Sequence, residues 1–463
     1  MNIILVALDT LSARHLGCYG YWRSTSPNLD SFAENATLFE NCFAPCIPTQ
    51  PSFTTMFSGR EPLDHGIVAH MGAFDVRSDV VFIPEILRDA GYHTACLSDL
   101  FGMKPWFKKG WNEYIPPVET GPYRNVLNAE GVNRAAMAWL NKQKPKSDFF
   151  LFIHYWDTHI PYFTPEEYRR KFYSGNPGDS GLTSFLPFED DPFAEWWLRE
   201  KDKDGKPTGW IAQLAIESGV ERITDAEFVV AQYDSEVLYL DEHISELLGT
   251  IEDMGIKDNT FIMFMSDHGE EMYEHGVFFD HHGLYDSNLH TPLIAKLPCQ
   301  CERRRVVHHV RHHDIAPTLL DLAGIAVPKE MAGTSLVPFL CGEIPDKWRD
   351  DSLLTGENSW MSKWSLRNDN FKLIKARAKD WHGFPPRELY NIHSDPGETH
   401  NLIEAESKLA DEMDAELEAR VTEGLRRYGR TIDPIVEQGL SPMGMRAWKW
   451  LEQMERRKNG DHI

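Results

Sequence analysis

Three short apolar runs, rich in β-branched and aromatic residues, constrain the fold of this chain more than any other feature. The runs are Ile3 to Leu8, Phe149 to Trp156 and Phe261 to Met265. Between the second and the third, Val229 to Ile251 places apolar residues at steps of three and four, which is the pattern of an amphipathic helix. Strands that alternate with helices predict an α/β domain built on a large, mostly parallel central sheet flanked by helices.

The chain has 463 residues, enough to bury a large core, and its pattern changes along its length. Residues 160–226 combine prolines, glycines, aromatics and a charged run, which predicts an irregular insertion or lid over the sheet. We predict a catalytic domain over residues 1–345, which contains this insertion, and a small α+β subdomain over residues 346–430. The tail, residues 431–463, predicts a helix that docks on a neighbouring subunit of a homo-oligomer or on the body of the chain.

Charge and cysteine content narrow the partners and the compartment. A formal charge of -24 leaves no broad cationic surface, so we expect neither nucleic acid nor an anionic membrane as a partner. The seven cysteines show no repeated CxxC spacing, which is typical of reduced thiols. The opening apolar run lacks the flanks of a signal peptide, and no uncharged stretch would span a bilayer. We expect a cytoplasmic protein that acts on a small anionic molecule.

Each of the three apolar runs is followed by residues suited to metal or proton chemistry. These residues are Asp9 and Thr10, then Asp157 and His159, then Asp267-His268-Gly269. Ligands of open α/β sheets bind at the carboxyl ends of the strands. A single Asp at a strand end is usually a turn or cap residue. Three such ends together favour a functional site.

A fourth element is a short helix that the sequence predicts between Thr49 and Gly59, with a proline near its start and glycine past its end. Thr49 would lie at the N-terminus of this helix. Free backbone N–H groups there suit an anionic ester and lower the cost of ionising a nearby hydroxyl. An ordinary N-cap threonine is the alternative interpretation.

Six segments of the chain, taken in order, carry motifs that can be compared with known families. They are NIILVALDTLSARHLGCYGY, TQPSFTTMFSGREP, FLFIHYWDTHIPY, FIMFMSDHGEEMYEHG, HHGLYDSNLHTPLI and RELYNIHSDPGETHNL. In this order they resemble landmarks of the sulfatase family in the alkaline phosphatase superfamily. They extend over the chain up to about residue 402. A lone SDHG would be weak evidence, whereas six landmarks in family order are specific. The resemblance implies the alkaline phosphatase-like fold and hydrolysis of an ester of a tetrahedral anion.

The resemblance offers two registers for the nucleophile. Family members carry Cys-x-Pro-Ser-Arg or Ser-x-Pro-Ser-Arg, with the first residue oxidised to formylglycine, while phosphodiesterase and phosphotransferase relatives use an unmodified Thr. A register from Cys46 lacks the Arg and places Met56 where the family has glycine. A register from Thr49 puts Pro51, Ser52, Gly59 and Pro62 in their family positions. We therefore predict Thr49 as the nucleophile and expect no formylglycine.

The same resemblance implies that Asp9, Asp267, His268 and Thr49 bind a divalent metal ion. Thr10 stands where many sulfatases have a second aspartate. Oxygen donors combined with one imidazole fit Mn²⁺ or Zn²⁺ better than Ca²⁺, which prefers oxygen alone, although Ca²⁺ and Mg²⁺ stay open. Coordination to a dication favours the alkoxide of a hydroxyl and screens the charge of the incoming ester.

Histidines complete the predicted site. His159 matches the family histidine near the leaving-group oxygen, where an imidazole can donate a proton. His281 or His282 replaces a family lysine that binds substrate, and with Thr10 they form our predicted substrate-binding set. Glu270, Glu271 and His275 are candidates for supporting the metal ligands. We expect structural roles for His154, Arg60 and the histidines of residues 308–313.

The sequence thus predicts a metal-dependent hydrolase of phosphodiesters, phosphonate esters or phosphomonoesters that works through a covalent Thr49 intermediate. A plain threonine adduct has no hemiacetal route for its breakdown, which favours phosphoryl over sulfuryl substrates. Hydrolysis of sulfate esters on the same site is the close alternative. A phosphotransferase and a non-catalytic binding homologue are the remaining alternatives.

Overall fold

A large central sheet forms the centre of the computed structural model, which describes residues 1–117, 128–143, 148–349 and 352–459. The strands of these ranges are β1 (Asn2–Leu8), β2 (Thr37–Phe43), β3 (Cys46–Ile47), β4 (His93–Leu97), β5 (Glu113–Ile115), β6 (Phe149–Tyr155), β7 (Thr260–Met265), β8 (His290–Thr291), β9 (Leu293–Lys296), β10 (Arg304–Arg311), β11 (Leu353–Glu357), β12 (Lys363–Arg367), β13 (Phe371–Ala376) and β14 (Arg387–Asn391). In the described ranges the central sheet has nine strands in the order β10-β2-β9-β7-β1-β6-β4-β5, with β8 beside β2.

Helices cover both faces of this sheet. The α-helices of the described ranges are α1 (Pro27–Ala33), α2 (Thr49–Ser58), α3 (Pro62–His65), α4 (Ile83–Asp89), α5 (Leu100–Met103), α6 (Ala129–Leu140), α7 (Ala194–Trp197), α8 (Trp210–Glu217), α9 (Ala226–Asp253), α10 (Asp286–Leu289), α11 (Ile315–Leu322), α12 (Val337–Leu340), α13 (Ser407–Arg427), α14 (Pro434–Gln438) and α15 (Pro442–Lys458). The predicted helices at Thr49 and at Val229–Ile251 are confirmed as α2 and α9.

Strand β1 shows how the sequence builds two cores. Successive side chains of a strand point to opposite faces, and every residue of β1 is buried. Ile4 and Val6 join a core with helices α1, α6 and α9 on one face. Ile3 and Leu5 join a second core with α2, α4 and α11 on the other. A strand buried on both faces reads as the continuous apolar run seen in the sequence.

The pairing of β1 decides where the site lies. Its two neighbours, β6 and β7, run parallel to it. The pairs β4–β6, β4–β5 and β10–β2 are parallel as well, whereas β9 pairs antiparallel with both β7 and β2. The predicted α/β fold with a mostly parallel central sheet is confirmed. Because β1, β6 and β7 are parallel neighbours, the residues that follow them meet at one edge.

A second sheet, in the order β14-β13-β12-β11-β3, forms the centre of the C-terminal part. Strands β11 to β14 pair antiparallel in sequence order, and α13 packs on them through Met413 and Leu417. Its fifth strand comes from far away in the chain, since β3 pairs parallel with β11. Residues 46–47 therefore join the sheet of the C-terminal part, and helix α2 begins two residues later.

The region between residues 160 and 226 is mostly irregular but well packed. It contains α7 and α8, and Phe188, Trp197 and Ile211 are buried in the core on the α9 side of the sheet. Helix α15 of the tail packs against this region. The Trp450 ring centroid lies 5.2 Å from that of Phe193, and Arg457 forms an ion pair of 2.9 Å with Glu195. In the described ranges, every helix is too short or too polar to cross a membrane.

Candidate active site

The site lies at the carboxyl edge of the central sheet, where β1 and β7 end side by side. Asp9 directly follows β1, and Asp267 and His268 follow β7 after a single serine. All three side chains are completely buried. One ligand atom from each of the three lies within 4.8 Å of those from the others. The structure thus brings Asp9 together with two predicted metal ligands, Asp267 and His268, that lie more than 250 positions later in the chain.

The chemistry of this cluster fits a divalent cation. Oδ1 of Asp9 and Oδ2 of Asp267 are buried without a hydrogen-bond partner. Burial, followed by the nearby Asp267 carboxylate, raises the pKa of Asp9 well above its ordinary value. Buried like charges are costly unless a cation compensates them. Two carboxylates and an imidazole are the donors that divalent ions of intermediate softness prefer.

Neighbouring groups orient these ligands. Nδ1 of His268 lies 2.9 Å from the carbonyl oxygen of Gly269, which can only accept, so Nδ1 donates and Nε2 keeps its lone pair for a ligand. Gly269 itself is required, because a Cβ there would lie 2.0 Å from the carbonyl oxygen of Ser287. Ser266 Oγ donates to the His268 carbonyl over 2.6 Å. The tight turn after β7 therefore fixes the tautomer of His268, the histidine of the predicted ligand set.

His154 supports Asp9, a role that the sequence analysis did not assign. Its Nε2 lies 2.9 Å from Oδ2 of Asp9, and its Nδ1 lies 3.0 Å from Oγ of Ser98. Burial lowers the pKa of His154 well below its ordinary value, so the ring is neutral. Nε2 then donates to the carboxylate while Nδ1 accepts from the serine. Its position in an apolar strand gave no signal of this, although it faces the same core layer as α2.

Thr49 lies at the start of α2, where its Oγ1 is 3.3 Å from Nε2 of His268. The helix is tied to the metal-binding edge by Ser52, whose Oγ donates to the Asp267 carbonyl over 2.8 Å and contacts Nδ1 of His312 at 3.0 Å. The structure therefore places the predicted nucleophile beside the ligand cluster. The first-turn N–H groups of an α-helix carry positive potential towards an anion bound at that end.

Cys46, the rejected alternative, lies in strand β3 at the edge of the second sheet. It is completely buried, its Sγ lies 3.8 Å from the Val68 carbonyl oxygen, and burial raises the pKa of the thiol well above its ordinary value. Between it and Thr49 stands Pro48, the N-cap of α2.

Gln50, the residue after Thr49, has one side-chain group with a hydrogen-bond partner and one without. Its Oε1 accepts from the Met71 N–H at 2.8 Å, while its buried Nε2 has no hydrogen-bond partner.

Thr10 adopts an unusual backbone conformation at this edge. Its φ of +54° is rare for a β-branched residue and costs on the order of 1–3 kcal/mol. The conformation directs its N–H to Oδ1 of Asp267 at 3.2 Å, and its hydroxyl donates to the Thr158 carbonyl at 2.5 Å. The structure thus gives Thr10 a positioning contact with a ligand. Its predicted contact with substrate stays a prediction.

His159 and His281 form a ring pair next to the ligands. Their ring centroids are 4.9 Å apart, and the His281 ring lies 4.8 Å from that of His268. Nδ1 of His159 lies 2.6 Å from the Ile160 carbonyl oxygen. Burial lowers the pKa of both His159 and His281. The structure therefore brings both predicted residues to the edge of the site as imidazoles held among other histidines.

His282 points towards the C-terminal part instead. Its Nε2 lies 2.9 Å from Nε2 of His382, its Nδ1 lies 3.4 Å from Asp280, and its ring stacks on Phe193. Burial works against its protonation, but Asp280 outweighs that effect and raises the pKa of His282. Of the two histidines that the sequence left open, His281 is the one in ring contact with His268, a predicted metal ligand.

Glu270 and Glu271 directly follow the Asp-His-Gly turn and are buried beside it. His275 contacts Glu271 at 2.9 Å and the Gly397 carbonyl at 3.0 Å, and Ser287 donates to the other oxygen of Glu271. Both oxygens of Glu270 are buried without a hydrogen-bond partner. Burial, with Asp280 next, raises the pKa of Glu270 well above its ordinary value.

Two other sequence features take structural positions. His312 bridges Ser52 and Thr291, whose Oγ1 lies 2.9 Å from its Nε2. Arg60 contacts Asp64 at 3.3 Å and the Asp79 carbonyl at 3.1 Å. Neither belongs to the ligand cluster, in line with the interpretation made from the sequence. The hydrogen bonds of His312 nevertheless help to hold α2, and with it Thr49, in place.

Comparison with known proteins agrees with this arrangement. The profile described as Sulfatase matches residues 1–325, which include every predicted ligand named above. The chain belongs to the sulfatase family. A second profile, described as N-sulphoglucosamine sulphohydrolase, C-terminal, matches residues 273–426. As a sulfatase-family member, the chain is a hydrolase that acts on sulfuric or phosphoric ester bonds.

Relatives and solved structures extend over most of the chain. N-acetylglucosamine-6-O-sulfatase of Bacteroides thetaiotaomicron is 25% identical over 87% of this chain and 82% of its own length. A structure in complex with its substrate D-glucosamine-2-N,6-O-disulfate superposes with a TM-score of 0.73 at 21% identity, covering 94% of this chain and 99% of that chain. Phosphonate monoester hydrolase of Agrobacterium radiobacter gives 0.67 at 19% identity, covering 92% and 96%.

The comparisons bear on two predictions from the sequence, the class of ester and the identity of the metal ion. The relatives of this sulfatase-family chain are mostly sulfatases, so they favour the alternative of sulfate-ester hydrolysis over the phosphate esters that the sequence analysis put first. Members of the family use a divalent metal ion, typically Ca²⁺, rather than the Mn²⁺ or Zn²⁺ that the donor set favoured. A divalent metal site agrees with the buried cluster of Asp9, Asp267 and His268.

Proposed function

We propose that this protein hydrolyses sulfate monoesters with Thr49 as the nucleophile and Asp9, Asp267 and His268 as metal ligands. The observation that carries the proposal is the position of the Thr49 hydroxyl, 3.3 Å from the imidazole of His268, at the start of a helix. Sulfatase relatives support sulfate as the anion. The positive end of α2 suits any tetrahedral anion bound over Thr49.

Each residue has a defined task in this mechanism. A divalent ion bound at this cluster would supply Lewis acidity towards the ionised hydroxyl and the ester. Asp9, Asp267 and His268 would hold that ion, and His154 keeps Asp9 oriented. Thr49 attacks in line with the leaving oxygen and carries the sulfuryl group until water displaces it. The N–H groups at the start of α2 stabilise the charge that develops on the equatorial oxygens.

His159 is the proposed proton carrier between Thr49 and the leaving oxygen. Its Nδ1–H is engaged by the Ile160 carbonyl, and burial lowers the pKa of His159, so Nε2 of the resting ring is unprotonated. Nε2 accepts the proton that Thr49 loses and then donates it to the leaving oxygen. His281 packs on both His159 and His268 and is proposed to contact the ester oxygens. Hydrogen-bond donors held in a buried site need no reorganisation as charge develops.

Phosphate and phosphonate esters form the second candidate class. Two observations favour them: the nucleophile position holds a threonine, and a phosphonate monoester hydrolase shares the fold. The hydrated aldehyde of a formylglycine can release sulfate by breakdown of a hemiacetal. A sulfate ester of threonine has no such route and needs a second water molecule to hydrolyse it. We propose that the protein accepts both anions, because they share a tetrahedral shape, with sulfate preferred.

A substrate panel tests the proposal. Turnover of 4-nitrophenyl sulfate, 4-nitrophenyl phosphate, bis(4-nitrophenyl) phosphate and a 4-nitrophenyl phosphonate is measured on the wild type and on Thr49→Ala with Ca²⁺, Mn²⁺, Zn²⁺ or Mg²⁺. The highest kcat/KM is expected for the sulfate monoester, with loss in Thr49→Ala. A higher kcat/KM for a phosphate or phosphonate ester would favour that substrate class over sulfate esters. Equal rates in the wild type and in Thr49→Ala would show that Thr49 is not the nucleophile. Peptide mass spectrometry over residues 46–52 tests for formylglycine.

The same panel separates hydrolysis from group transfer. Added glycerol competes with water for a Thr49-bound sulfuryl or phosphoryl group. A hydrolase releases inorganic anion in amounts equal to the nitrophenol. A transferase releases less, with the balance recovered as the glycerol ester.

A further inference from the structure

Gln50, which directly follows the proposed nucleophile Thr49, carries a buried amide with only one of its two polar atoms paired. Its side chain lies in the first turn of α2 and is completely buried. Oε1 accepts from the Met71 N–H at 2.8 Å, whereas Nε2 has no hydrogen-bond partner among the described residues. A buried donor without an acceptor costs free energy, so this NH2 group needs an acceptor that the chain itself does not supply.

The orientation of this amide follows from its one hydrogen bond. The backbone N–H of Met71 can only donate, so the atom that it meets at 2.8 Å is the amide oxygen of Gln50. If the two amide atoms were exchanged, two donors would face each other. The backbone of Gln50 is held as well, because Thr54 Oγ1 donates to its carbonyl over 2.7 Å. The NH2 group is therefore fixed in place with its hydrogens available to a ligand.

The amide joins two segments that border the candidate active site. On one side, Gln50 adjoins Thr49 in the chain. On the other, its hydrogen-bond partner Met71 directly follows a histidine of the cavity beside the site. The histidines that line this cavity are His70, His159 and His281. A donor held between these segments lies beside the space in which an ester would bind at Thr49.

The start of α2 has fewer backbone donors than an ordinary helix start. The first four N–H groups of an α-helix have no partner within the helix, and two of these four positions are prolines here. Pro48 and Pro51 have no N–H, which leaves those of Thr49 and Gln50. The N–H of Ser52 already donates to the Pro48 carbonyl over 3.2 Å. The side-chain NH2 of Gln50 can therefore supply to an anion the donors that the two prolines lack.

We propose that Nε2 of Gln50 donates a hydrogen bond to a non-bridging oxygen of the tetrahedral anion that binds over Thr49. Gln50 is then a substrate-binding residue, whose amide contacts Met71 through one atom and substrate through the other. A donor that is fixed before substrate arrives needs no reorganisation as charge develops on the ester oxygens. The role in turnover rests on the proposed function at Thr49, whereas binding of the anion can be measured without turnover.

Binding of inorganic anions gives the first test. Inorganic sulfate and inorganic phosphate are titrated separately into the metal-loaded protein in a calorimeter. Gln50→Met fills nearly the same space with a flexible apolar side chain but has no amide. It should bind the anions about tenfold more weakly or worse, because a hydrogen bond to a charged group is lost. An anion affinity that is unchanged in Gln50→Met overturns the proposal.

A matched variant separates donation from tethering. Two side chains hold the backbone of residues 70–71: Gln50 accepts from the Met71 N–H, and Ser359 Oγ accepts from the His70 N–H at 2.7 Å. Ser359→Ala loosens the same segment but leaves the amide intact, so its anion affinity should stay within about twofold of the wild-type value. Equal weakening in Ser359→Ala and Gln50→Met would show that Gln50 is only a tether and would overturn the proposal.

A second variant keeps the tether and changes only the donor. Gln50→Glu retains an oxygen for the Met71 N–H, but its second oxygen can donate only while the carboxyl is protonated. Its sulfate affinity relative to the wild type should therefore fall as the pH rises from about 5 to about 9 and the new carboxyl loses its proton. Wild-type affinity over this whole range overturns the proposal. Circular dichroism and thermal melting verify that each variant is folded.

Anion binding and ester turnover distinguish failure of this proposal from failure of the proposed function. Anion binding that is weakened by Gln50→Met and not by Ser359→Ala, in a protein that turns over no ester, supports the donor and contradicts the proposed function. Ester turnover with kcat/KM and anion affinity unchanged in Gln50→Met overturns the donor and leaves the proposed function standing. A wild type that binds neither sulfate nor phosphate overturns the donor as well.

Discussion

The Oγ1 atom of Thr49 lies 3.3 Å from Nε2 of His268, although 219 positions separate the two residues in the chain. The contact joins the start of helix α2 to the turn after strand β7. It is held from both sides, by Ser52 on the Asp267 carbonyl and by the Gly269 carbonyl on Nδ1 of His268. A hydroxyl beside a metal-ligand imidazole can share the same ion, so this pair is the geometric centre of the proposed mechanism.

Replacement of Thr49 separates chemistry from binding. Thr49→Ala removes the attacking oxygen and should lower kcat by on the order of 10³-fold or more. Thr49→Ser keeps the hydroxyl and should retain measurable turnover. Metal content, measured by plasma emission spectroscopy, should change little in Thr49→Ser. If Thr49→Ala keeps near-wild-type kcat in a preparation freed of contaminating hydrolases, the nucleophile is another group.

The buried carboxylates of Asp9 and Asp267 predict that metal reverses the order of thermal stability of the wild type and Asp267→Asn. Oδ2 of Asp267 is buried close to Asp9 without a hydrogen-bond partner, and Asp267→Asn removes one of the two charges while keeping the Oδ1 that accepts from Thr10. In excess chelator the variant should melt at a higher temperature than the wild type, because buried like charges repel. With saturating metal the order should reverse, since metal binding stabilises the native state by mass action.

Differential scanning fluorimetry measures both conditions. Asp64→Asn serves as a control, because this carboxylate pairs with Arg60 and Arg77 away from the ligand cluster. A wild type whose melting temperature is the same with chelator and with every divalent ion would contradict a metal site at Asp9 and Asp267.

His154 should act through Asp9 and not through substrate. His154→Phe leaves a buried ring but removes the hydrogen bond to Oδ2 of Asp9. Loss of such a supporting contact typically lowers metal affinity by roughly 10–100-fold. Isothermal titration with the activating metal measures the change, and excess metal should restore most of the kcat. A variant with unchanged metal affinity would show that His154 is merely a core residue.

His275 gives a pH dependence with a definite sign. Burial opposes its protonation, but Glu271 and the Gly397 carbonyl outweigh that effect and raise the pKa of His275 from 6.5 to about 9. Its contribution to folding, on the order of 1–3 kcal/mol, is therefore full below about pH 6.5 and is lost as the pH rises through 9. Urea denaturation of the wild type and of His275→Gln should show a difference that shrinks across this window. A difference that grows with pH would exclude the charged pair with Glu271.

The apolar runs that predicted β1, β6 and β7 succeeded because strands buried on both faces must be continuously apolar, as Ile3 to Leu8 is. Motif spacing likewise located helix α2 and the turn after β7. The sequence analysis missed His154, because a histidine in a buried strand has the same local pattern whether it packs or supports a ligand. It also missed that Cys46 and Ile47 belong to the second sheet, since a two-residue strand has no periodicity.

Local pattern was enough to determine the α/β fold, because strands buried on both faces are recorded as apolar runs in the order of residues. The ligand candidates Asp9, Asp267 and His268, and Thr49 instead of Cys46 as the nucleophile, followed from the resemblance of short motifs to the family, and these assignments stay predictions. Only the tertiary structure decided that His281 and not His282 packs against His268, and that tryptophans from the irregular region and the C-terminal part line one cavity. Such contacts depend on distances between segments that no local spacing encodes.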